Sequence, residues 1–174
     1  MNIIESAFGN YEVSGKPTDA DIIVGNSYGT STHPESPNAA IARFILANEQ
    51  GQPIVVDSTL ADAFPLHSRL LDVVVGGVVS NTVGTVGGSW GILVEAKKYM
   101  DDNELSRPMM AAQRFHVGRV AMQAEKLGMT NIIVPEGLPG NFDLDSEQPW
   151  TRSAGAWVPR EIVGSFVLRS QGRL

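Results

Sequence analysis

Among its 174 residues the chain has no cysteine. That excludes disulfides, thiolate zinc sites and cysteine nucleophiles, and it fits a reducing compartment, so a cytoplasmic location is expected. Long apolar runs are also missing. The most apolar stretch, Val73 to Val79, falls far short of the ~20 residues a membrane helix needs. The opening MNIIESAFGN has neither a basic n-region nor an apolar h-region, so it does not read as a secretory signal, and no membrane insertion is expected. Lys and Arg total 13 against 19 Asp and Glu, giving a net charge of -6. A mildly acidic chain without a basic cluster is poorly suited to nucleic acid or an anionic membrane surface. Neither G-x-G-x-x-G nor a P-loop occurs, so no named cofactor is implied. His33, His67 and His116 are scattered without a ligand spacing, and Asp143-Leu144-Asp145 reads as a solvated acidic turn, so no metal site is expected.

What is present is a core-forming composition, 43% hydrophobic and 18% charged, in a length that suits one domain over residues 1–174. Short β-branched runs alternate with helical patterns, the signature of βαβ units and a mainly parallel sheet. Strands are expected at Asp21–Gly25, Pro53–Asp57, Asp72–Val75, Pro108–Ala112 and Asn131–Val134. Their continuous apolar runs suit strands covered on both faces. Helices are expected over Asn38–Asn48, Ser89–Met100 and His116–Leu127. The second carries a stripe of Trp90, Leu93, Ala96 and Met100, the third a stripe of Val117, Val120, Ala121 and Ala124 with Gly128 as its stop. Pro159 suits the first turn of a last helix with Ile162, Val163, Phe166 and Val167 inside. Pro135 to Trp157, rich in Pro, Gly and Asn, reads as a long ordered loop of the kind that often carries function.

In open α/β sheets, ligands bind outside the carboxyl ends of the strands. The first strand delivers Gly25-Asn26-Ser27-Tyr28-Gly29, the third Ser80-Asn81-Thr82, and the fourth Gln113-Arg114-Phe115-His116-Val117-Gly118-Arg119. Hydroxyls, amides, glycines and a His/Arg pair suit a polar small-molecule pocket. Gly25 to Gly29 also fits the G-x-S-x-G pattern of a nucleophile elbow, which makes Ser27 a candidate serine nucleophile. An elbow needs a helix at once after the serine, whereas Pro34 and Pro37 postpone it here. His116 and Arg119, three apart, share one side of a helix start, distinct from the apolar stripe. They form either an anion clamp or an ordinary surface pair. Ser80, Asn81 and Thr82 suit ligand donors, and equally suit local capping.

Taken in order, these residues resemble the YdcF-like/SanA-like family, bacterial α/β proteins of largely undefined function. The resemblance runs from about Asp21 to Gly172. It rests on the Asp21–Gly25 strand, Ser80-Asn81-Thr82, the strand-loop-helix from Met109 to Arg119 followed by Leu127-Gly128, and the closing Arg160-Glu161-Ile162-Val163. Departures occur at Gly84 and Thr85, where the family usually has Glu and Asn. Gln113 replaces the serine expected three residues before the histidine, and Gly25-Asn26 replaces a glycine pair. The resemblance implies a Rossmann-like three-layer α/β/α fold with a mainly parallel sheet of about five strands. It also implies a re-lined polar pocket that includes His116 and Arg119.

The expectation is therefore a protein that binds a small anionic or nucleotide-like molecule through Asn26, Ser27, Ser80, Asn81, Thr82 and Arg119. His116 is the candidate general acid or base, because its ordinary pKa lies near neutrality. Two alternatives stand beside it: a serine hydrolase using Ser27, and a non-catalytic sensing or assembly module linked to envelope maintenance, as the family context suggests.

Overall fold

The computed structural model describes residues 13–65, 71–75 and 88–174. Four short strands, β1 (Ile22–Gly25), β2 (Ile54–Asp57), β3 (Val73–Val75) and β4 (Pro108–Ala111), form one parallel sheet in the order β3-β2-β1-β4. The register sets Gly25 beside Val56 on one side and beside Ala111 on the other. Among the described residues five helices complete the frame: α1 (Pro37–Asn48), α2 (Ser58–Asp62), α3 (Ser89–Asp102), α4 (Val117–Lys126) and α5 (Ala154–Ser170).

Side chains alternate across a strand, and here the alternation sorts the core into two halves. Ile22 and Val24 of β1, with Val55, Met110 and Ala112, pack under Leu93, Ala96 and Met100 of α3 and Val117, Val120 and Ala124 of α4. Ile23, Ile54, Val56, Met109 and Ala111 pack under Ile41 and Ile45 of α1 and Leu60 of α2. Each Val, Leu, Ile or Met among them contributes about 1.5–3 kcal/mol by leaving water. The result is the three-layer, Rossmann-like arrangement. No helix among the described residues is long and apolar enough to cross a membrane.

The first three helix expectations hold to within a residue or two. Ser36 caps α1 by accepting from the Ala39 N–H, with Pro37 in the first turn. Gly128, at φ +83°, ends α4.

Four details depart from the sequence expectations. Residues Asn131–Val134 do not form a full fifth strand. Ile133 makes a single parallel bridge to Met109, and Val134 a single antiparallel bridge to Ser14. Asn131 sits at φ +52° and Pro135 follows, so the extended stretch is pinched at both ends. β3 is not covered on both faces. It is an edge strand, and Val74 is 47% exposed.

The last helix begins at Ala154, so Pro159 lies inside it rather than in its first turn. Ser153 supplies the cap, accepting from the Ala156 N–H, and the early start lets Trp157 bury in the core. The four residues Ala154–Trp157 thus leave the expected loop, which also contains a 3-10 turn at Pro149–Thr151. Finally, the buried face of α5 is Trp157, Glu161, Ser165 and Leu168. Val163 and Phe166, expected inside, are 57% and 63% exposed.

Candidate functional site

In the order β3-β2-β1-β4, chain connections run from β1 toward β2 on one side, while β4 joins β1 on the other. The crevice between the carboxyl ends of β1 and β4 is therefore the switch point of the sheet, where such folds take ligands. Two segments meet there, residues 26–29 after β1 and residues 113–116 after β4.

The segment after β1 is clamped from both sides. Asp57, at the end of β2, accepts the Ser27 N–H at 2.8 Å and the Leu60 N–H at 2.9 Å, capping α2 as it does so. Burial pushes its carboxyl above the ordinary range, against the pull of those N–H donors. Asn38, buried in the first turn of α1, accepts the Tyr28 N–H at 2.7 Å and donates to the Ser31 carbonyl at 2.9 Å. Gly25 is required by its neighbours. A Cβ there would lie 2.8 Å from Leu60 Cδ2 and 2.9 Å from both Ile45 Cδ1 and Val56 Cγ1.

Asn26 comes next. Its N–H continues the ladder by donating to the Ala111 carbonyl. The alternation that places Ile22 and Val24 on the α3/α4 face carries the Asn26 side chain to that same face. It is fully buried, and among the described residues neither its oxygen nor its nitrogen has a hydrogen-bond partner. The buried Tyr28 hydroxyl has none either.

The segment after β4 is shaped by Gln113. Its side-chain oxygen accepts the Phe115 N–H at 2.7 Å, and its backbone carbonyl accepts the His116 and Val117 N–H groups. Gln113 thus makes the local turn for which a serine was expected, and it starts α4 with His116 at the cap position. His116 is 3% exposed, which rules out the ordinary surface pair. Its Nε2 lies 2.9 Å from Oγ of Ser89, the first residue of α3, and its Nδ1 lies 3.1 Å from Arg119 Nη2. Arg119 Nε donates to Glu161 Oε1 at 2.5 Å from the buried face of α5. Trp157 packs edge-on to His116 at 5.5 Å and against Tyr28 at 4.6 Å, and its Nε1 donates to the Phe115 carbonyl.

The electrostatics follow from this burial. Desolvation, helped by the Arg119 charge, holds the His116 imidazole well below its ordinary pKa, so it is neutral at pH 7. Burial raises the Glu161 carboxyl, and Arg119 opposes that shift. The 2.5 Å contact between Arg119 Nε and Glu161 Oε1 makes them an ion pair. The pair, a neutral histidine and an unpaired carboxamide make a site rich in donors with almost no net charge.

Of the residues expected in the pocket, Asn26, Ser27, His116 and Arg119 come to this one edge. Ser80, Asn81 and Thr82 lie outside the described residues. Arg119 is already held by Glu161 and His116, so an anion would meet it with its charge balanced. Ser27 is half-buried beside Asp57, and the next helix starts only at Pro37, so the strand-turn-helix of a nucleophile elbow is not formed. Asp143 folds into a local turn with the Asp145 N–H and faces His33 at 3.5 Å. Among the described residues no cluster of three or more His, Asp or Glu could hold a metal.

Sequence reasoning missed Ser89, Tyr28 and Trp157, and it gave Glu161 no role. Ser89 reads as an ordinary helix-start residue. Glu161 offered one usable signal, a single acid four residues after Trp157 on a helix otherwise rich in apolar residues. No protein-family model, curated protein or solved structure matches the chain.

Proposed function

We propose that this protein binds a small anionic or nucleotide-like molecule in the crevice between β1 and β4, and that it is akin to the YdcF-like/SanA-like proteins. The observation that carries this reading is Asn26. A fully buried carboxamide with no partner costs about 1–3 kcal/mol for each group left unmade. Such a group in a native fold calls for a reason. Here it sits at the switch point, on the sheet face that α3 and α4 cover, where the dipoles of the helix starts favour an acceptor-rich ligand. Ser89 and His116 add donors around the same place, and Ser27, hydrogen-bonded to Asp57, borders it. Arg119 supports the wall, with Glu161 balancing its charge.

The test is Asn26→Leu, a change of similar volume. The apolar variant is expected to be more stable than the parent by about 1–3 kcal/mol in chemical denaturation. It is also expected to lose both any small molecule that native mass spectrometry finds on the freshly purified parent and the thermal stabilisation given by adenosine monophosphate. A variant that is less stable than the parent and binds as well would overturn the proposal.

A further inference from the structure

The contacts of His116 fix where its proton sits. A guanidinium has N–H donors and no acceptor. The 3.1 Å contact between Arg119 Nη2 and His116 Nδ1 therefore runs in one direction, with Arg119 donating and Nδ1 accepting. A ring nitrogen that accepts carries no proton, so the single proton of the neutral imidazole is on Nε2. That N–H points at Ser89 Oγ, 2.9 Å away, and donates to it. Ser89 thus accepts from the histidine, and its own hydroxyl proton is left to donate elsewhere.

This polarity is the reverse of a Ser–His hydrolase pair. There a carboxylate accepts from Nδ1–H, and Nε2 takes the serine proton. Here an arginine stands on Nδ1, and its direction is held from behind by Glu161, 2% exposed on α5. Protonating His116 would set a second cation against Arg119 in a buried setting. Neither Ser89 nor His116 is thereby prepared for proton abstraction. Both are prepared to donate.

A second line of observation points the same way. The 14-residue helix α3 begins at Ser89 behind Gly88, which has no side chain to cap it, and α4 begins at His116 with no side-chain cap bond. The two helix starts are joined by the Ser89–His116 hydrogen bond. The unpartnered Asn26 side chain lies on the sheet face that these helices cover.

We infer that Ser89 is a ligand-binding hydroxyl, donating to an oxyanion or carbonyl oxygen of the bound molecule, and that the Glu161–Arg119 pair is a positioning device that sets His116 as a fixed donor. This replaces the general acid or base role expected for His116, and the ligand half of it rests on the reading of the crevice as a binding site. The class of ligand is one that offers acceptor oxygens, such as a phosphoryl or carboxylate group.

Two measurements on the intact protein test it. Long-range proton–nitrogen spectra of the ¹⁵N-labelled histidine rings, with His116→Asn to assign the signals, should show His116 with its proton on Nε2 and a bare Nδ1 near pH 7.5. A proton on Nδ1 overturns the inference whatever binds. Binding is then read with inorganic phosphate and adenosine monophosphate as probes. Ser89→Ala, at a helix end outside the core, should weaken the better probe by about tenfold or more, the loss of one hydrogen bond to a charged group. Equal binding by parent and variant removes Ser89 from the site and leaves the preceding proposal standing. If the parent binds neither probe, the preceding proposal falls and the ligand half of this one with it, while the ring spectrum still judges the positioning device.

Discussion

Helices α4 and α5 invite comparison because they share the Arg119–Glu161 contact and bury different mixtures of residue. α4 lays Val117, Val120, Ala121 and Ala124 on the sheet, as its stripe requires. α5 turns Glu161 and Ser165 inward between Trp157 and Leu168, and leaves Val163 and Phe166 in solvent. The difference lies in what each helix covers. α4 covers strands, and an apolar surface selects an apolar stripe. α5 meets Arg119, and a largely buried guanidinium selects a carboxylate over any hydrocarbon. A hydrophobic pattern predicts the inward face of a helix only when its neighbour is hydrophobic too.

Four variants test that comparison. The largest effect is expected from Glu161→Ala, which leaves Arg119 unpaired beside His116. Removing one partner of a buried pair costs about 3–5 kcal/mol, and the low end applies here because Arg119 keeps some contact with water. Val120→Ala on α4 removes only packing and should cost about 2 kcal/mol. Urea denaturation of both variants decides the matter. A Glu161→Ala protein as stable as Val120→Ala would mean that α5 is not held by its polar face.

The next effect is one of pH. The folded-state pKa of His116 lies well below 6.5, so below about pH 6.5 the unfolded chain takes up a proton that the folded one refuses. Stability is therefore full above that pH and falls as the pH drops below it, at up to about 1.4 kcal/mol per unit. His116→Asn should lack this component. Asp57 and Glu161, both raised by burial, remain in parent and variant, so the difference between the two stability curves isolates the histidine. Parallel curves from pH 7.5 to 5.5 would show that His116 is not held neutral.

The smallest effect belongs to the outer face of α5. Phe166→Ser should change stability by no more than about 0.5 kcal/mol, although the same kind of change at Val120 would be severe. A thermal transition lowered by many degrees would place Phe166 inside after all.

The comparison also explains how much could be read in advance. The β-branched runs of β1, β2 and β4 and the stripes of α3 and α4 were legible because local period and burial agree there. The fifth strand was not, because two bridges and an Asn131 backbone at φ +52° leave no mark on an apolar run. That Asn26, Ser27, His116 and Arg119 come to one sheet edge was legible because they sit just beyond the ends of β1 and β4. Their partners were not. Ser89 is 27 residues from His116, and Glu161 is 42 from Arg119. Which distant charge meets which is decided by how β4 and α5 are laid down, and no spacing along the chain records that.

Gly25 has a consequence for access. The methyl groups of Ile45, Leu60 and Val56 occupy the space a side chain would take on the α1/α2 face of β1. That flank of the strand end is stoppered with hydrocarbon. The crevice thus has a closed back on that side, and the amide of Asn26 faces the other way, toward the layer of α3 and α4.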